Sequence, residues 1–158
     1  MAKADLPAVG ALAAFIHPAY PEDDAVFAER LALYSAGCRV FDHGGKVEAY
    51  VVSHPWRRFE APALNSLLGA LPAAPSTFYI HDLALSSAVR NTGAAAKIVA
   101  WLAEHALGEH FRHMSLVAVN GSEGFWQRQG FTATHDQTLK YPLSSYGNDA
   151  QYMVRDLP

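Results

Sequence analysis

A histidine in an apolar strand and a small-residue loop beyond it are the features of this sequence that suggest chemistry. His81 lies within the run TFYIHDLAL at 77–85, and the loop at 90–95 reads RNTGAA. An imidazole titrates near pH 6.5, so His81 can exchange a proton at neutral pH. Backbone amides at a helix start are unpaired and lie at its positive end, where they can hold a pyrophosphate. The loop is therefore a candidate anion site that Gly93 leaves unobstructed.

The composition of this loop excludes two common phosphate-binding motifs. A Walker loop needs Gly-Lys-Ser/Thr, and a Rossmann turn needs two further glycines and an acid at the end of the next strand. RNTGAA provides neither. The spacing alone leaves an ordinary loop at a small-residue helix start as the alternative.

Length and charge narrow the functional classes. With 158 residues, 51% of them apolar, the chain predicts a single globular domain over 1–158. The net charge is -3 and no basic run is present, so no nucleic-acid partner is expected. The eight histidines accompany one cysteine, Cys38, which excludes an intramolecular disulfide and a zinc site that needs several thiolates. The spacing of His105, His110 and His113 does not repeat on one helix face, so no metal is expected.

No segment predicts insertion into a membrane. The uncharged stretch 61–80 contains Pro62, Pro72 and Pro75, which interrupt a lipid-facing helix and favour a surface connection. Near the N-terminus, Asp5 and Pro7 occupy positions where a signal peptide has its basic and apolar regions. We expect a cytoplasmic protein without a membrane partner.

Apolar periodicity and turn residues predict the elements that position these groups. A strand, a loop, a helix and a second strand follow one another over 77–119, which requires parallel or laterally separated strands with a right-handed crossover if they share one sheet. One α/β or α+β domain contains all elements. They are a helix from Asp5 to Ile16, a helix that starts at 22–24 and ends at Gly37, a hairpin of strands 38–42 and 47–52, a short helix 63–71, a strand 77–85, a helix 94–106, a strand 114–119, a short helix 123–129, and strands 131–141 and 152–156.

Several of these segments together resemble the GCN5-related N-acetyltransferase (GNAT) family. RNTGAA matches the family's acetyl-CoA loop, Arg/Gln-x-x-Gly-x-Gly/Ala, and it lies between IHDLAL and LVAV. GFWQRQGF and YGNDAQYMVRDL are similar to the family's last short helix and last strand. The resemblance implies a mixed, mainly antiparallel sheet of about six strands flanked by about four helices, open in a V between the family's fourth and fifth strands. The family's first strand is absent, very short or lost upstream, because only residues 1–4 precede the first helix here.

The resemblance also implies how acetyl-CoA, the co-substrate, is bound. Backbone groups of the family's fourth strand hold the pantetheine and the thioester oxygen, and Asn120 falls where members often have an asparagine that contacts the pantetheine. Trp126 stands where many members have a tyrosine that protonates the leaving thiolate. An indole cannot supply that proton, so another group or water must serve, or the thiolate leaves unassisted. The implied cofactor-binding residues are Leu83, Ala84, Leu85, Arg90, Asn91, Thr92, Gly93, Ala94, Ala95, Asn120 and Trp126.

Acetylation of an amine needs a proton acceptor, since an alkylamine with a pKa of about 10.4 is only about one part in a thousand neutral at pH 7. His81 is the leading candidate, with a core histidine bonded to backbone as the alternative. Strand alternation puts His81 and Asp82 on opposite faces unless a bulge intervenes, and Asp82 is a second candidate base. Tyr146 is a candidate to replace the missing acid, or a purely structural aromatic.

The acceptor is expected to be the primary amine of a small molecule, attacked directly without a covalent enzyme intermediate. The acids at 22–24 favour a cationic one. Peptide or protein N-terminal acetylation and a non-catalytic acyl-CoA-binding module are the alternatives, and a homodimer is the candidate assembly. The candidate acceptor residues are Tyr20 and Glu22 in the Pro-flanked segment 17–22, His54 and Trp56 in the Pro-flanked segment 54–56, and Tyr79 on the strand face that it shares with His81.

Overall fold

The fold is built on one sheet with helices on both faces. The computed structural model describes residues 1–134, 136–139 and 143–158. The elements are α1 (Leu6–Ile16), α2 (Asp24–Leu33), β1 (Arg39–His43), β2 (Lys46–Trp56), β3 (Thr77–Leu85), α3 (Ala94–Gly108), β4 (His113–Ala118), α4 (Glu123–Arg128), β5 (Thr132–Ala133) and β6 (Gln151–Asp156). Within the described residues, six strands form the sheet in the order β1-β2-β3-β4-β6-β5. The predicted mixed, mainly antiparallel sheet with flanking helices is therefore confirmed.

The parallel pair at the centre of the sheet is short. Strands β3 and β4 pair in parallel through Phe78–Met114 to Ile80–Leu116, whereas the other neighbouring strands pair antiparallel. Beyond Ile80, β3 continues to Leu85 on β2 alone. The two central strands therefore diverge and open the sheet into a V.

A β-bulge in β3 lies at the point where the strands diverge. Val52 of β2 pairs with Asp82, but the next residue, Ser53, pairs with Ile80, so His81 is an extra residue without a partner on β2. An extra residue inverts the alternation of side chains on either side of it. The expected placement of His81 and Asp82 on opposite faces consequently does not apply, and both side chains line the same cavity.

Two apolar clusters hold the helices against the sheet. Helices α1 and α2 bury Val9 and Phe27 against one face of β2, and α3 buries Val99 and Leu102 against Phe78 on the other. Adjacent residues of β2 belong to different clusters, as the period of two in a strand requires. The sheet is thus covered on both sides around the V.

Two of the predicted elements are wrong. Residues 63–71 are not helical, because Asn65 and Gly69 have left-handed backbones with φ of 55° and 71°. Among the described residues of the strand predicted over 131–141, only Thr132–Ala133 form a strand, and a 3-10 turn follows at Gln137–Leu139. Residues 135, 140 and 141 lie outside the described residues. Before α1 the chain forms a 3-10 turn at Lys3–Asp5, and no strand lies there within the described residues.

Gly37 provides a test of the packing beside the bulge. A Cβ at Gly37 would lie 2.2 Å from the carbonyl oxygen of Ser53, whose hydroxyl donates to the Gly37 carbonyl at 2.7 Å. We expect Gly37→Ala to lower the free energy of unfolding by about 3 kcal/mol, since the backbone must move. Gly108→Ala is the matched control, because a Cβ there meets nothing within 4 Å. Urea denaturation measures both, and equal midpoints would contradict the prediction.

Candidate active site

The V opens into a cavity of about 500 Å³ that extends from the start of α3 to the connection between α1 and α2. Most of the candidate residues lie on its wall. Those that line it are Tyr20, Glu22, His81, Asp82, Leu83, Ala84, Leu85, Arg90, Asn91, Gly93, Ala94, Ala95, Asn120, Trp126 and Tyr146. Thr92, His54, Trp56 and Tyr79 do not line it.

The start of α3 forms one end of the cavity. Gly93 caps the helix with φ of 83°, a left-handed conformation that glycine adopts without strain, and a Cβ there would meet nothing within 4 Å. The amides of the first helical turn, from Ala94, have no acceptor within the helix. Thr92 faces away, and its hydroxyl donates to the Val89 carbonyl at 2.8 Å. This end fits an anion such as the pyrophosphate of CoA.

The open edge of β3 forms the long wall. Beyond Ile80 the strand pairs only with β2, so the edge of Leu83–Leu85 that faces away from β2 is free of a neighbouring strand in the described sheet. Arg90 Nε donates to the Leu85 carbonyl at 3.0 Å, which fixes the loop against the strand. An extended arm with amide groups, like that of pantetheine, can pair with such an edge.

His17 and Asp82 form a charged pair in the middle of the cavity. Nε2 of His17 lies 3.3 Å from Oδ1 of Asp82, and the hydroxyl of Tyr50 donates to Oδ2 of the same carboxylate. On its other side, Nδ1 of His17 lies 3.3 Å from Nδ2 of Asn120. His17 is the last residue before Pro18, where α1 ends.

The interaction between His17 and Asp82 raises the pKa of the histidine and lowers that of the aspartate, so it favours the charged form of each side chain. Burial by itself lowers the pKa of His17, but the hydrogen bond and charge of Asp82 outweigh it, so the pKa of His17 is raised above 6.5. Burial by itself raises the pKa of Asp82, whereas His17 and Tyr50 stabilise the carboxylate and hold that pKa below its ordinary value. The pair is therefore an imidazolium and a carboxylate over a wider pH range than either residue alone.

His81 makes a second pair with a carboxylate. Its Nε2 lies 2.9 Å from Oε2 of Glu22, and both side chains are almost completely buried. Its Nδ1 is shielded and has no hydrogen-bond partner among the described residues. Hydrogen bonding at Nε2 orients the ring and leaves the lone pair of Nδ1 to accept a proton.

An aromatic layer lies behind His81. His54 is fully buried, its ring centroid is 6.2 Å from that of His81, and burial lowers the pKa of His54 to about 3. Tyr79 is also buried, and Trp56 packs on the cluster that contains it. These three predicted acceptor residues therefore lie behind the cavity wall and do not line the cavity themselves.

The segment after β2 closes the acceptor end. The amide of Leu64 donates to Ser145 Oγ at 2.9 Å, and the amide of Asn65 donates to Glu22 Oε1 at 3.1 Å. The Asp23 amide donates in turn to Asn65 Oδ1 at 2.8 Å. One segment thus bridges the α1–α2 connection and the segment before β6.

Tyr146 belongs to this closed end. Its hydroxyl donates to the Pro62 carbonyl at 2.9 Å, and burial raises the pKa of the phenol. The charge of the Glu22 carboxylate adds to this rise in the pKa of Tyr146. The proton of Tyr146 is therefore held by Pro62 in this arrangement.

A buried arginine anchors the same segment from below. Arg30 is fully buried, with Nη2 donating to the Ser66 carbonyl at 2.8 Å and Nη1 donating to Glu29. The Glu29 carboxylate also accepts from the amides of Leu68 and Gly69 at 2.8 and 2.9 Å. These bonds satisfy the backbone of a segment that forms no helix.

The family is decided by a sequence match over most of the chain. A model of the acetyltransferase (GNAT) family matches residues 9–131, which include most of α1, the bulged strand, the loop and α4. The chain belongs to the GNAT family. This GNAT domain is accordingly an acetyltransferase that uses a CoA thioester, and the expected family is confirmed. No curated protein sequence matches the chain.

Solved structures share the fold of this GNAT domain at low sequence identity. The GNAT-like decarboxylase GphF, in complex with isobutyryl-CoA, has a TM-score of 0.80 and 17% identity, and the match covers 100% of this chain and 97% of that one. Ard1 from Thermoplasma volcanium has a TM-score of 0.75 and 15% identity, with coverage of 100% and 95%. N-acetylglutamate synthase from Neisseria gonorrhoeae, complexed with coenzyme A and N-acetyl-glutamate, has a TM-score of 0.71 and 18% identity, with coverage of 99% and 34%.

Among the described residues of this GNAT domain, no helix is both long and apolar enough to cross a membrane.

The pairing of His17 with Asp82 is absent from the sequence-based prediction, which grouped His17 only with the candidate acceptor segment 17–22. The available signal was a histidine at a helix end directly before Pro18, which says nothing about the strand residue it meets.

We expect His17→Gln to flatten the pH dependence of stability near neutrality. The folded pKa of His17 lies above its ordinary value, so its contribution is complete below about pH 6.5 and is lost as the pH rises through the folded pKa. Urea unfolding at a series of pH values above about pH 6 should show a steeper loss of stability in the wild type than in the variant. His43→Gln, at an exposed position of β1, is the control. Parallel curves for wild type and His17→Gln would contradict the assignment.

Proposed function

We propose that this GNAT domain transfers an acetyl group from acetyl-CoA to the primary amine of a small molecule by direct attack. The observation that carries the proposal is the closed acceptor end, where the segment containing Leu64 and Asn65 bridges its two neighbours next to the Glu22–His81 pair. A bridged end suits a compact acceptor better than a polypeptide that must continue outward. The Glu22 carboxylate favours a cationic amine.

The donor would be held along the opposite half of the cavity. The loop from Arg90 to Ala95 suits the pyrophosphate, although the Arg90 amide donates to the Ser86 carbonyl and the Ala94 amide to Thr92 Oγ1. The free edge of Leu83–Leu85 suits the pantetheine and the thioester oxygen. Asn120 and Trp126 lie on the facing wall, where they would contact the arm. When bound, acetyl-CoA supplies an activated acyl group, and the protein has to orient it and move protons.

The proton of the attacking amine would go to His81. Glu22 holds the ring through Nε2, and Nδ1 keeps a free lone pair. Because Nδ1 is shielded in this structure, the amine or one bridging water has to enter beside it before the proton is transferred. Asp82, the second candidate base, is already engaged by His17 and Tyr50, which makes it a weaker acceptor. His81 is therefore the residue that we place in the role of general base.

The state of Cys38, the one cysteine of the chain, favours direct attack of the amine on the thioester over transfer through an acetyl-cysteine. Cys38 is fully buried, its Sγ donates to the Tyr34 carbonyl at 3.5 Å, and burial raises the pKa of the thiol to about 11. A neutral thiol without access to the cavity is a poor nucleophile. A covalent acetyl-cysteine step is thus not part of the proposal.

An acceptor panel tests the substrate class. We expect CoA release with small primary amines and acetyl-CoA at a rate at least about tenfold above that with peptides of free N-terminus, because the bridged end excludes a continuing chain. The assay is thiol release, with acetylated product identified by mass spectrometry. Faster turnover of peptides would support N-terminal acetylation instead. Thermal stabilisation by acetyl-CoA with no turnover of any amine would support a binding module.

His81→Gln tests the base. We expect kcat/KM to fall about 10²- to 10⁴-fold with a strongly basic amine, the usual contribution of a general base. The loss should shrink with weakly basic fluorinated amines, which are largely neutral at pH 7. His43→Gln is again the matched control, since that side chain is exposed. An equal loss across the amine series would remove His81 from this role.

A further inference from the structure

One side chain crosses the gap between the two diverging strands. His17 lies 3.3 Å from Asp82 on β3 through Nε2 and 3.3 Å from Asn120, just beyond β4, through Nδ1. The strands themselves stop pairing at Ile80–Leu116. The imidazole therefore lies across the opening into which the end of an acyl-CoA arm would extend.

The surroundings of His17 resemble those of a catalytic imidazole. The Asp82 carboxylate lies at an ion-pair distance of 3.3 Å from Nε2, and the Asn120 amide lies 3.3 Å from Nδ1. An aspartate beside one ring nitrogen is also the arrangement that orients a histidine in hydrolases. Tyr50 donates to the same carboxylate and fixes it in turn. The other charged groups that influence His17 are Glu22, which favours the imidazolium, and Arg90, which opposes it.

The reaction lacks an obvious acid for the leaving group. Trp126 occupies the place of the family's tyrosine, and an indole N–H does not protonate a thiolate. The hydroxyl of Tyr146 lies at the acceptor end and donates to Pro62. Of the remaining side chains on the cavity wall, His17 has a proton to give and lies between the two strands.

We propose that His17 is the acid that protonates the departing CoA thiolate, and that Asp82 and Tyr50 are its positioning residues. The inference rests on the proposed function and deepens it. As the amine nitrogen bonds to the acetyl carbon, the C–S bond breaks and its electron pair goes to sulfur, which takes the Nδ1 proton of His17. The amine proton goes to His81. His17 then regains a proton from water, and His81 returns one, before the next turnover.

The chemistry of the donor and acceptor fits this step. Asp82 lies beside Nε2, so the proton that moves is on Nδ1. The Asn120 amide nitrogen, Nδ2, lies 3.3 Å from Nδ1, so this proton requires the Asn120 amide to turn and present its oxygen to the ring. Asp82 raises the pKa of His17 above 6.5, and the His17 imidazolium is a stronger acid than a thiol of about 8.5 as long as its pKa stays below that of the thiol. Proton transfer to the thiolate is downhill under that condition.

The experiment compares two donors in His17→Gln and His81→Gln. With acetyl-CoA we expect His17→Gln to lose about 10²-fold or more in kcat, as for loss of a general acid. With an acetyl thioester of an electron-poor arylthiol, whose thiolate leaves without a proton, the loss should fall below about fivefold. His81→Gln should lose similarly with both donors, because its proton comes from the amine. Equal losses in His17→Gln with the two donors would overturn the proposal.

A second readout does not depend on the acceptor. In the wild type, the bound thiol of CoA should ionise more readily than in His17→Gln, because an imidazolium within reach stabilises the thiolate. Ultraviolet absorbance of the thiolate in a pH titration should show about tenfold less thiolate at a given pH in the variant. CoA affinity, measured in parallel, should be little changed and shows that the variant is folded. An unshifted thiol titration would also overturn the proposal.

The two readouts separate this inference from the proposed function. If no amine is acetylated but the thiol titration responds to His17→Gln, the acceptor assignment fails and the role of His17 stands. If amines are acetylated and the leaving group makes no difference, the proposed function stands and His17 is structural. Asp82→Asn and Tyr50→Phe should each reproduce part of the donor-dependent loss, as positioning residues do.

Discussion

The early end of the parallel pairing between β3 and β4 is the constraint on which the rest of the structure depends. Three residue pairs hold the strands together, and β3 then continues for five residues along β2 alone. Backbone groups that lose a strand neighbour need another partner or water, since an unpaired buried amide is costly. At this gap the missing neighbour is replaced at one end by Arg90, on the Leu85 carbonyl. The remaining edge is free for the amide-bearing arm of a CoA thioester.

Polar groups are concentrated on one side of that gap, and buried carboxylates organise them. Glu22 joins His81 to the closing segment, Asp82 joins His17 to Tyr50, and Glu29 joins Arg30 to the backbone. A buried charge is tolerated when partners surround it, and removal of one partner leaves the other uncompensated. The half of the cavity near Glu22 is therefore lined by paired charges, whereas the half at the start of α3 is formed largely by backbone.

The elements were predictable where the pattern was strong. The strand at 77–85 was found because it is long, apolar and β-branched or aromatic, and the start of α3 because Gly93 precedes a run of small residues. The bulge at His81 was not predictable, because the two-residue alternation of a strand does not show in the sequence where an extra residue is inserted. The segment 63–71 has helical spacing, but its backbone is bound by Glu29 and Arg30, which are distant in sequence. Contacts such as His17 with Asp82 arise only when the whole chain is folded.

The burial of Cys38 has a consequence for how this enzyme meets its own product. Each turnover of a CoA thioester releases a free thiol, and a reactive cysteine would exchange with oxidised forms of that product. Cys38 is closed off beneath α1 and α2, and its proton is retained far above neutral pH. The protein is thereby insulated from mixed disulfides with CoA. Dyes that react with thiols under native conditions register the product alone, so the enzyme contributes no background to the measurement of its own turnover.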